Sequence, residues 1–302
     1  MLVALSGGPD SLALAAAAVF EAKRLEVEAG AIIIDHDLQE GSAKIAEHAA
    51  EQAAELGLAP VSVVRVNVED LGAGPEASAR VARYEAIEAV RVETGASWVL
   101  LGHTLDDQAE TVLLGLARGS GAKSLHGMAP VTGTLLRPLL GLHRQVTVQA
   151  CEDQGITPWI DPHNSDPAYT RVRVRDTVLP LLEKELGPGI SEALARTADQ
   201  LQDDSEVLET LARARFRELY DDETGFVVWG LEPLEPALRD RVLRLAALRA
   251  GCPPSELTVV HVKALLAQVL NERNLPKQVQ LPGHVTAIRE GDVLRFVRAP
   301  LA

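Results

Sequence analysis

The residues best suited to chemistry open the chain. Ser6-Gly7-Gly8-Pro9-Asp10-Ser11 follows a short apolar run, Leu2 to Leu5, and leads into an Ala/Leu-rich stretch from Leu12. Strand, glycine turn and helix start, in that order, aim free backbone N–H groups and the positive end of a helix dipole at one point. That is a seat for phosphate. Gly7 and Gly8 let the backbone approach a ligand closely. Ser6 and Ser11 offer hydroxyls, Pro9 sits within the turn, and Asp10 can hold a metal ion that shares the phosphate charge. A second group, His103, Asp106, Asp107 and Glu110, crowds the start of another helix directly after an apolar strand and Gly102. Asp106 and Glu110 are four apart and share a helix face. Carboxylates in a first turn also complement the dipole with no further role. Here they fall beside an expected phosphate site. A hard cation between Asp10 and Asp106 would neutralise a triphosphate, and Glu110 could receive a cationic amine.

Weaker signals surround these two. Asp35-His36-Asp37 ends a second apolar strand, where it could meet an adenine and a ribose or simply cap the next segment. Arg80, Arg83 and Tyr84 lie within about one helical turn. The two arginines share a face that could steady phosphates or an RNA backbone, or stay solvated, and Glu76 is placed to pair with Arg80. Gly119 to Ser124, GSGAKS, is a fragment of a Walker A loop with the wrong glycine spacing and is rejected.

Positioning such residues takes alternating strands and helices. Strands are expected at Leu2–Leu5, Ala29–Asp35, Val61–Val66 and Ser97–Leu101. Helices are expected after Ser11 and at Gly41–Leu56, Pro75–Glu93 and Asp106–Ala117. Alternation of this kind implies an α/β fold: a doubly wound, mainly parallel sheet with helices on both faces. Ligands bind such sheets beyond the carboxyl ends of the strands. The ends carrying SGGPDS, Asp35-His36 and Gly102-His103 should therefore meet at one crevice. From Gly187 the pattern changes to a long acidic helix over Ser191–Tyr220, helices at Ala237–Ala250 and Ser255–Asn271, and short strands over Gln278–Val297 with a hairpin turn at Glu290-Gly291-Asp292. Two domains are expected, 1–186 for nucleotide binding and catalysis and 187–302 as a smaller, mostly helical substrate domain.

Composition narrows the class. With 302 residues and 47% hydrophobic content a sizeable core is available, but aromatics are only 3%, so Leu, Val and Ala must fill it. Two distant cysteines, Cys151 and Cys252, support neither a disulfide framework nor a zinc or iron–sulfur site, and they fit a reducing cytoplasm. No apolar run reaches membrane-spanning length and no signal peptide precedes the first strand. Because the chain begins directly on that strand, a few native residues are expected upstream. The net charge of −14 argues against general nucleic-acid affinity. Residues 111–175 nevertheless carry +3, with Arg118, Lys123, Arg137, Arg144, Arg171, Arg173 and Arg175, so a local basic face is available.

The hexapeptide SGGPDS in its strand-to-helix context resembles the signature of the PP-loop ATP pyrophosphatases. The runs IDHDLQ, EASARVARY, GHTLDDQAETVLLGLARGSG, LHGM, RPLLGLHR and WIDPHNSDPAYTRVRVRDTVLPLLE come next in order. Together they resemble the tRNA(Ile)-lysidine synthetases over most of the first 183 residues, with a looser likeness beyond. The chain departs from that pattern at Asp37-Leu38-Gln39, at Thr104 and at Val172. The resemblance implies a PP-loop ATPase sheet, ATP and Mg2+, and three substrates: ATP, free L-lysine and an isoleucine tRNA with a CAU anticodon. The cytosine ring carbonyl oxygen is adenylated with loss of pyrophosphate, and the lysine ε-amine then displaces AMP. Carried onto this chain, Ser6, Gly7, Gly8, Pro9, Asp10 and Ser11 hold the phosphates, and Asp35, Gly102 and His103 line the nucleotide. Arg83 meets the charge of the adenylate. Asp106 holds magnesium or lysine, Glu110 is a second lysine ligand, and Arg118, Arg171, Arg173 and Arg175 clamp the tRNA. Asp10 and Asp106 are the metal ligands; catalysis falls to Asp10, Asp106 and Arg83. A homodimer is left open. The rivals are another PP-loop enzyme, such as a tRNA thiolase or NAD synthetase, and a nucleotide-binding regulator without chemistry. Thiolases of this class usually need cysteine pairs, NAD synthetase lacks the DDQAET…RGSG and TRVRVR runs, and a regulator has no need of Asp10, Asp106 and Asp107 together.

Overall fold

A computed structural model describes residues 1–35, 41–66, 75–119, 122–161, 166–221, 223–270 and 278–298. It separates into two compact units, Met1–Asp199 and Gln200–Ala302. The first unit alternates as expected: β1 (Leu2–Leu5), α1 (Pro9–Leu25), β2 (Gly30–Asp35), α2 (Ser42–Leu56), β3 (Val61–Arg65), α3 (Pro75–Glu93), β4 (Val99–Leu101), α4 (Leu105–Arg118) and α5 (Ala122–Leu125). A short hairpin, β5 (Val131–Thr132) and β6 (Leu135–Leu136), precedes α6 (Arg144–Asp153), a helix the sequence pattern did not reveal. Then comes one continuous rod: α7 (Thr170–Arg173), a π-helical turn over Val174–Val178, and α8 (Leu179–Leu186).

The strand order is β3-β2-β1-β4-β6-β5, parallel throughout except for the antiparallel edge strand β5. The period of two along a strand sends successive side chains to opposite faces. Val3 and Leu5 of β1 and Ala31 and Ile33 of β2 join one core with α1 and α2, while Leu2 and Ile32 join another with Ile87 and Val90 of α3. Each fully buried Leu or Ile contributes on the order of 1.5–3 kcal/mol. Because β2 and β3 lie to one side of β1 and β4 to the other, the winding direction reverses between β1 and β4. Doubly wound sheets bind ligands at this point.

The second unit begins within α9 (Ile190–Leu219) and continues through β7 (Tyr220–Asp221), β8 (Gly225–Val227), α10 (Val228–Leu231), α11 (Pro236–Arg249), α12 (Val259–Val269), β9 (Gln278–Leu281), β10 (Val285–Glu290) and β11 (Val293–Arg298). It holds a five-stranded antiparallel sheet, β7-β8-β11-β10-β9, beside its helices, with β7 and β8 added to the short strands expected over Gln278–Val297. The expected turn is present: Glu290 pairs with Val293 across Gly291, whose φ is +63°. Among the described residues no helix is long and apolar enough to cross a membrane.

Candidate active site

The loop after β1 takes the form its glycines permit. Gly7 has φ +81°, a left-handed conformation that favours glycine, and its carbonyl accepts the Trp159 N–H at 2.9 Å. The Ser11 hydroxyl donates to the Gly8 carbonyl at 3.0 Å and accepts the Ser6 N–H at 3.1 Å, while the Ser6 hydroxyl lies 3.2 Å from it. Pro9 and Asp10 form the first turn of α1. Gly102, just past β4, lies against that turn. A Cβ there would sit 3.0 Å from the Asp10 carbonyl oxygen and 3.1 Å from the Ser11 nitrogen, so a larger residue would push the end of β4 away from the start of α1.

From β4 the chain turns into α4. Asp107 receives the Thr104 N–H at 2.9 Å and the Thr104 hydroxyl at 3.0 Å on its Oδ2. Thr104, a departure from the family pattern, thus fixes Asp107 at the helix start. Asp107 Oδ1 faces Arg144, the first residue of α6. Arg144 Nη2 donates to it at 2.9 Å, and Arg144 Nε donates to Asp10 Oδ2 at 2.9 Å. Arg144 Nη1 lies 4.0 Å from Glu110 Oε1, and its backbone N–H donates to Asp106 Oδ2 at 2.7 Å. One residue therefore touches all four carboxylates of the site. The Thr147 hydroxyl donates to the other oxygen of Asp10, and Cys151 Sγ lies 3.4 Å from the Pro9 carbonyl. Arg144, Thr147 and Cys151 form one stripe along α6, turned toward the start of α1.

Glu110 is fully buried and holds two more cations. Arg175 Nε and Nη2 donate to its two oxygens at 2.6 and 3.1 Å, and Arg171 Nε lies at 3.3 Å while Arg171 Nη2 donates to Thr111 at 3.0 Å. Arg171 and Arg175 are carried on α7 and the π turn; Val174 of that turn and Leu179 at the start of α8 pack against Ala109 of α4. Helix segments with π geometry are often found at functional sites. Burial opposes ionisation of Asp107, but Arg144 and the Thr104 N–H hold its carboxyl below the ordinary carboxylate range. Burial pushes the Glu110 carboxyl up against the pull of Arg175. Desolvation lowers Arg144 as well, yet Asp107 and Asp10 outweigh it and raise its proton affinity, so the guanidinium stays charged.

On the other side of β4, burial drives His103 down to about 4, with Asp107 opposing and Arg137, Arg83 and Arg171 assisting. The ring is therefore neutral near pH 7. Its Nδ1, the Tyr84 hydroxyl and the Nε atoms of Arg83 and Arg137 are buried without a hydrogen-bond partner. Arg80 and Arg83 each lie over the Tyr84 ring, 5.3 and 5.2 Å from its centroid. Burial raises the Tyr84 hydroxyl but Arg83 and Arg80 bring it below its ordinary value.

The sequence-predicted residues therefore divide. The loop, Gly102, Asp106, Asp107 and Glu110 converge as expected, and His103 and Arg83 lie beside them. Asp35 is buried at the end of β2, while His36 and Asp37 lie outside the described residues. Arg171 and Arg175 point at Glu110 and Thr111 rather than outward. Arg173 is exposed and bonds the Pro167 and Ala168 carbonyls, and Arg118 is exposed at the end of α4. Arg144 and Thr147 were missed as site residues. Arg144 was legible only as one charge of a basic segment, although its place at the end of RPLLGLHR marked it.

Comparison with known proteins agrees with this geometry. A PP-loop domain model matches residues 1–182, and a model of the TilS substrate binding domain matches residues 228–296. A tRNA(Ile)-lysidine synthase of Leifsonia xyli subsp. xyli is 53% identical over 301 residues, 98% of this chain and 89% of that one. The enzyme of the same name from Thermobifida fusca is 52% identical over 283 residues, 94% and 87% of the two chains. That of Streptomyces coelicolor is 50% identical over 294 residues, 96% and 83%. Among solved structures, the U34-tRNA thiolase NcsA from Methanococcus maripaludis with its [4Fe-4S] cluster aligns with a TM-score of 0.55 at 20% identity, covering 67% of this chain and 72% of that one. At that identity the likeness concerns the fold.

Proposed function

Because the chain belongs to the tRNA(Ile)-lysidine synthase family, we propose that it uses ATP to join free lysine to the wobble cytidine of an isoleucine tRNA with a CAU anticodon. The observation that carries this reading is the link between Asp10 of the phosphate loop and the carboxylates of α4 through one guanidinium. It supports reading the loop as a triphosphate seat beside a cation-binding cluster, as a reaction between an adenylated base and an amine requires.

The cytosine ring oxygen attacks the α-phosphorus, the bond to the bridging oxygen breaks, and pyrophosphate leaves. The lysine ε-amine then attacks the ring carbon and AMP departs with the oxygen. A ring oxygen leaves poorly until it is a phosphoester, so the first step makes the second feasible. Positioning and charge neutralisation carry both. The loop Ser6–Ser11 receives the phosphates through backbone N–H groups and hydroxyls. Arg83, with a buried donor lacking a protein partner, faces the adenylate charge. His103, kept neutral, offers an unpartnered Nδ1 to the nucleotide or the base without repelling nearby arginines. Asp106, a third exposed, is the better placed of the two predicted lysine ligands, since Glu110 is fully buried and engaged by Arg175. Asp10 and Asp106 supply oxygen donors that fit a hard cation such as Mg2+, and the position at Asp10 already stabilises the positive charge of Arg144. Such a cation supplies neutralisation of the phosphates. Arg173 and Arg118 remain for the tRNA backbone, and Arg171 and Arg175 serve Glu110. The reaction belongs in the cytoplasm with its tRNA.

Incubation with ATP, lysine and a CAU-anticodon isoleucine tRNA, followed by nucleoside mass analysis, tests the reading. A lysine adduct on cytidine, dependent on all three substrates, is expected. Pyrophosphate release without lysine incorporation, or none at all, would point to a different PP-loop activity or to a regulator.

A further inference from the structure

We infer that Arg144 couples the nucleotide half of the site to the amine half, so that filling one changes the affinity of the other. The inference rests on the proposed function, in which Asp10 of the phosphate loop serves the nucleotide and Asp106 of α4 serves the amine.

The geometry is specific. The Arg144 guanidinium spans from Asp10 on one side to Asp107 on the other at 2.9 Å each, and it approaches Glu110 at 4.0 Å. Arg175 and Arg171 reach only the α4 side. Among the described residues no other cation pairs with Asp10. Arg144 is only partly exposed, so solvent screens these contacts less than it would on an open surface. Its mounting ties it to the phosphate loop, because Thr147 and Cys151, on the same stripe of α6, contact Asp10 and Pro9. Its backbone N–H donates to Asp106, so the start of α6 is tied to the part-exposed carboxylate as well.

A phosphate entering the loop competes with Asp10 and Asp107 for this guanidinium. As Arg144 leans toward the phosphate, Asp107 loses part of its compensating charge, and the α4 carboxylates, with the part-exposed Asp106 as the amine's ligand, gain affinity for an ammonium group. By linkage, an ammonium that takes over those carboxylates frees Arg144 for phosphate by the same factor. Arg144 is thus a positioning residue acting through Asp10 and Asp107, and its signature is a coupling factor rather than a single affinity.

Calorimetric titration of the full chain with lysine, with and without a saturating non-hydrolysable ATP analogue and magnesium chloride, tests this. In the wild type the analogue should tighten lysine binding about fivefold or more, and lysine should tighten analogue binding by the same factor. In Arg144→Gln each ligand should still bind alone, but the factor should fall to within about twofold of unity. Arg144→Lys, which keeps the charge on a compact head without the planar fork that spans Asp10 and Asp107, should give an intermediate factor and serves in place of Arg144→Gln if that variant does not fold. A loss of stability alone would not alter a ratio of affinities in the folded protein. Independent or antagonistic binding in the wild type, or an unchanged factor in both variants, would overturn the inference while leaving the proposed reaction standing. Absence of binding of both lysine and the analogue to the wild type would overturn the proposed reaction, and this inference with it.

Discussion

The two units bury different materials. Of the thirteen buried polar or charged side chains among the described residues, eleven lie in the first unit and only Arg239 and Gln268 in the second. The core of the second unit is apolar and centred on Phe226, fully buried against Phe216, Tyr220 and Phe296 with ring centroids 4.9 to 6.5 Å away. In the first unit the apolar layers end at the carboxyl edge of the sheet, where Thr104, Asp107, Glu110 and Thr147 are buried instead. Buried charge costs free energy unless it is paired. Its concentration at that edge marks where stability is traded for chemistry.

That contrast can be broken from either side. Phe226→Ala should destabilise the second unit by about 3–5 kcal/mol in denaturant unfolding. Affinity of the folded protein for an ATP analogue should stay within about twofold, and a large loss of nucleotide binding would defeat the division. Asp10→Asn should do the opposite. It keeps the shape of the side chain and its place in the Arg144 contact, yet pyrophosphate release in the presence of tRNA and lysine should drop by about 100-fold or more. Turnover near the wild-type rate would remove Asp10 from its role.

The third effect is smaller and depends on pH. His103 has a folded-state value of about 4, below its ordinary 6.5, so the unfolded chain takes up the proton first. The stabilisation is therefore fully present above pH 6.5 and is lost as pH falls toward 4, by about 2–3 kcal/mol at pH 4.5. His103→Asn should flatten the acid limb of stability between those limits, whereas parallel curves for variant and wild type would contradict the buried neutral ring. The smallest change is expected at Arg173→Ala. Stability should move by no more than about 0.5 kcal/mol. Affinity for tRNA should weaken and the dependence of log Kd on log salt should shallow by about one. An unchanged slope would assign Arg173 to its own loop alone.

How much of this was legible beforehand depends on what each residue faces. Pro75–Glu93 was bounded correctly because proline at its start and steady periodicity leave little choice. The strands of the first sheet were visible as apolar runs, for both faces are covered. By contrast, α6 reads Arg-Gln-Val-Thr-Val-Gln-Ala-Cys, with Val146 and Val148 exposed and Thr147 and Cys151 buried. Its apolar residues alternate like those of a strand and lie on the wrong side for a helix, since the inner face carries groups that serve Asp10 and Pro9. Strands β7 and β8 were missed for a different reason: they are two and three residues long, and β8 depends on pairing with distant β11 while β7 pairs only with β8. Within the site, the carboxylates of α4 announced themselves by clustering in sequence. Arg144 did not, because its partners are 37 and 134 positions away. The arginines of the TRVRVR run were visible as charges, but no local pattern says whether a charge turns out to RNA or in to Glu110.

The single stripe on α6 has a consequence for how this protein can vary. Each residue added to a helix rotates the remainder of that helix by about 100°. Lengthening or shortening the segment between Arg144 and Cys151 by one position would swing the guanidinium and the thiol out of alignment, so that one of them left its seat. Exchanges at the outward valines cost little by comparison. The interval between those two residues works as a ruler, and descent with insertion should spare it even where the letters on its outer edge drift.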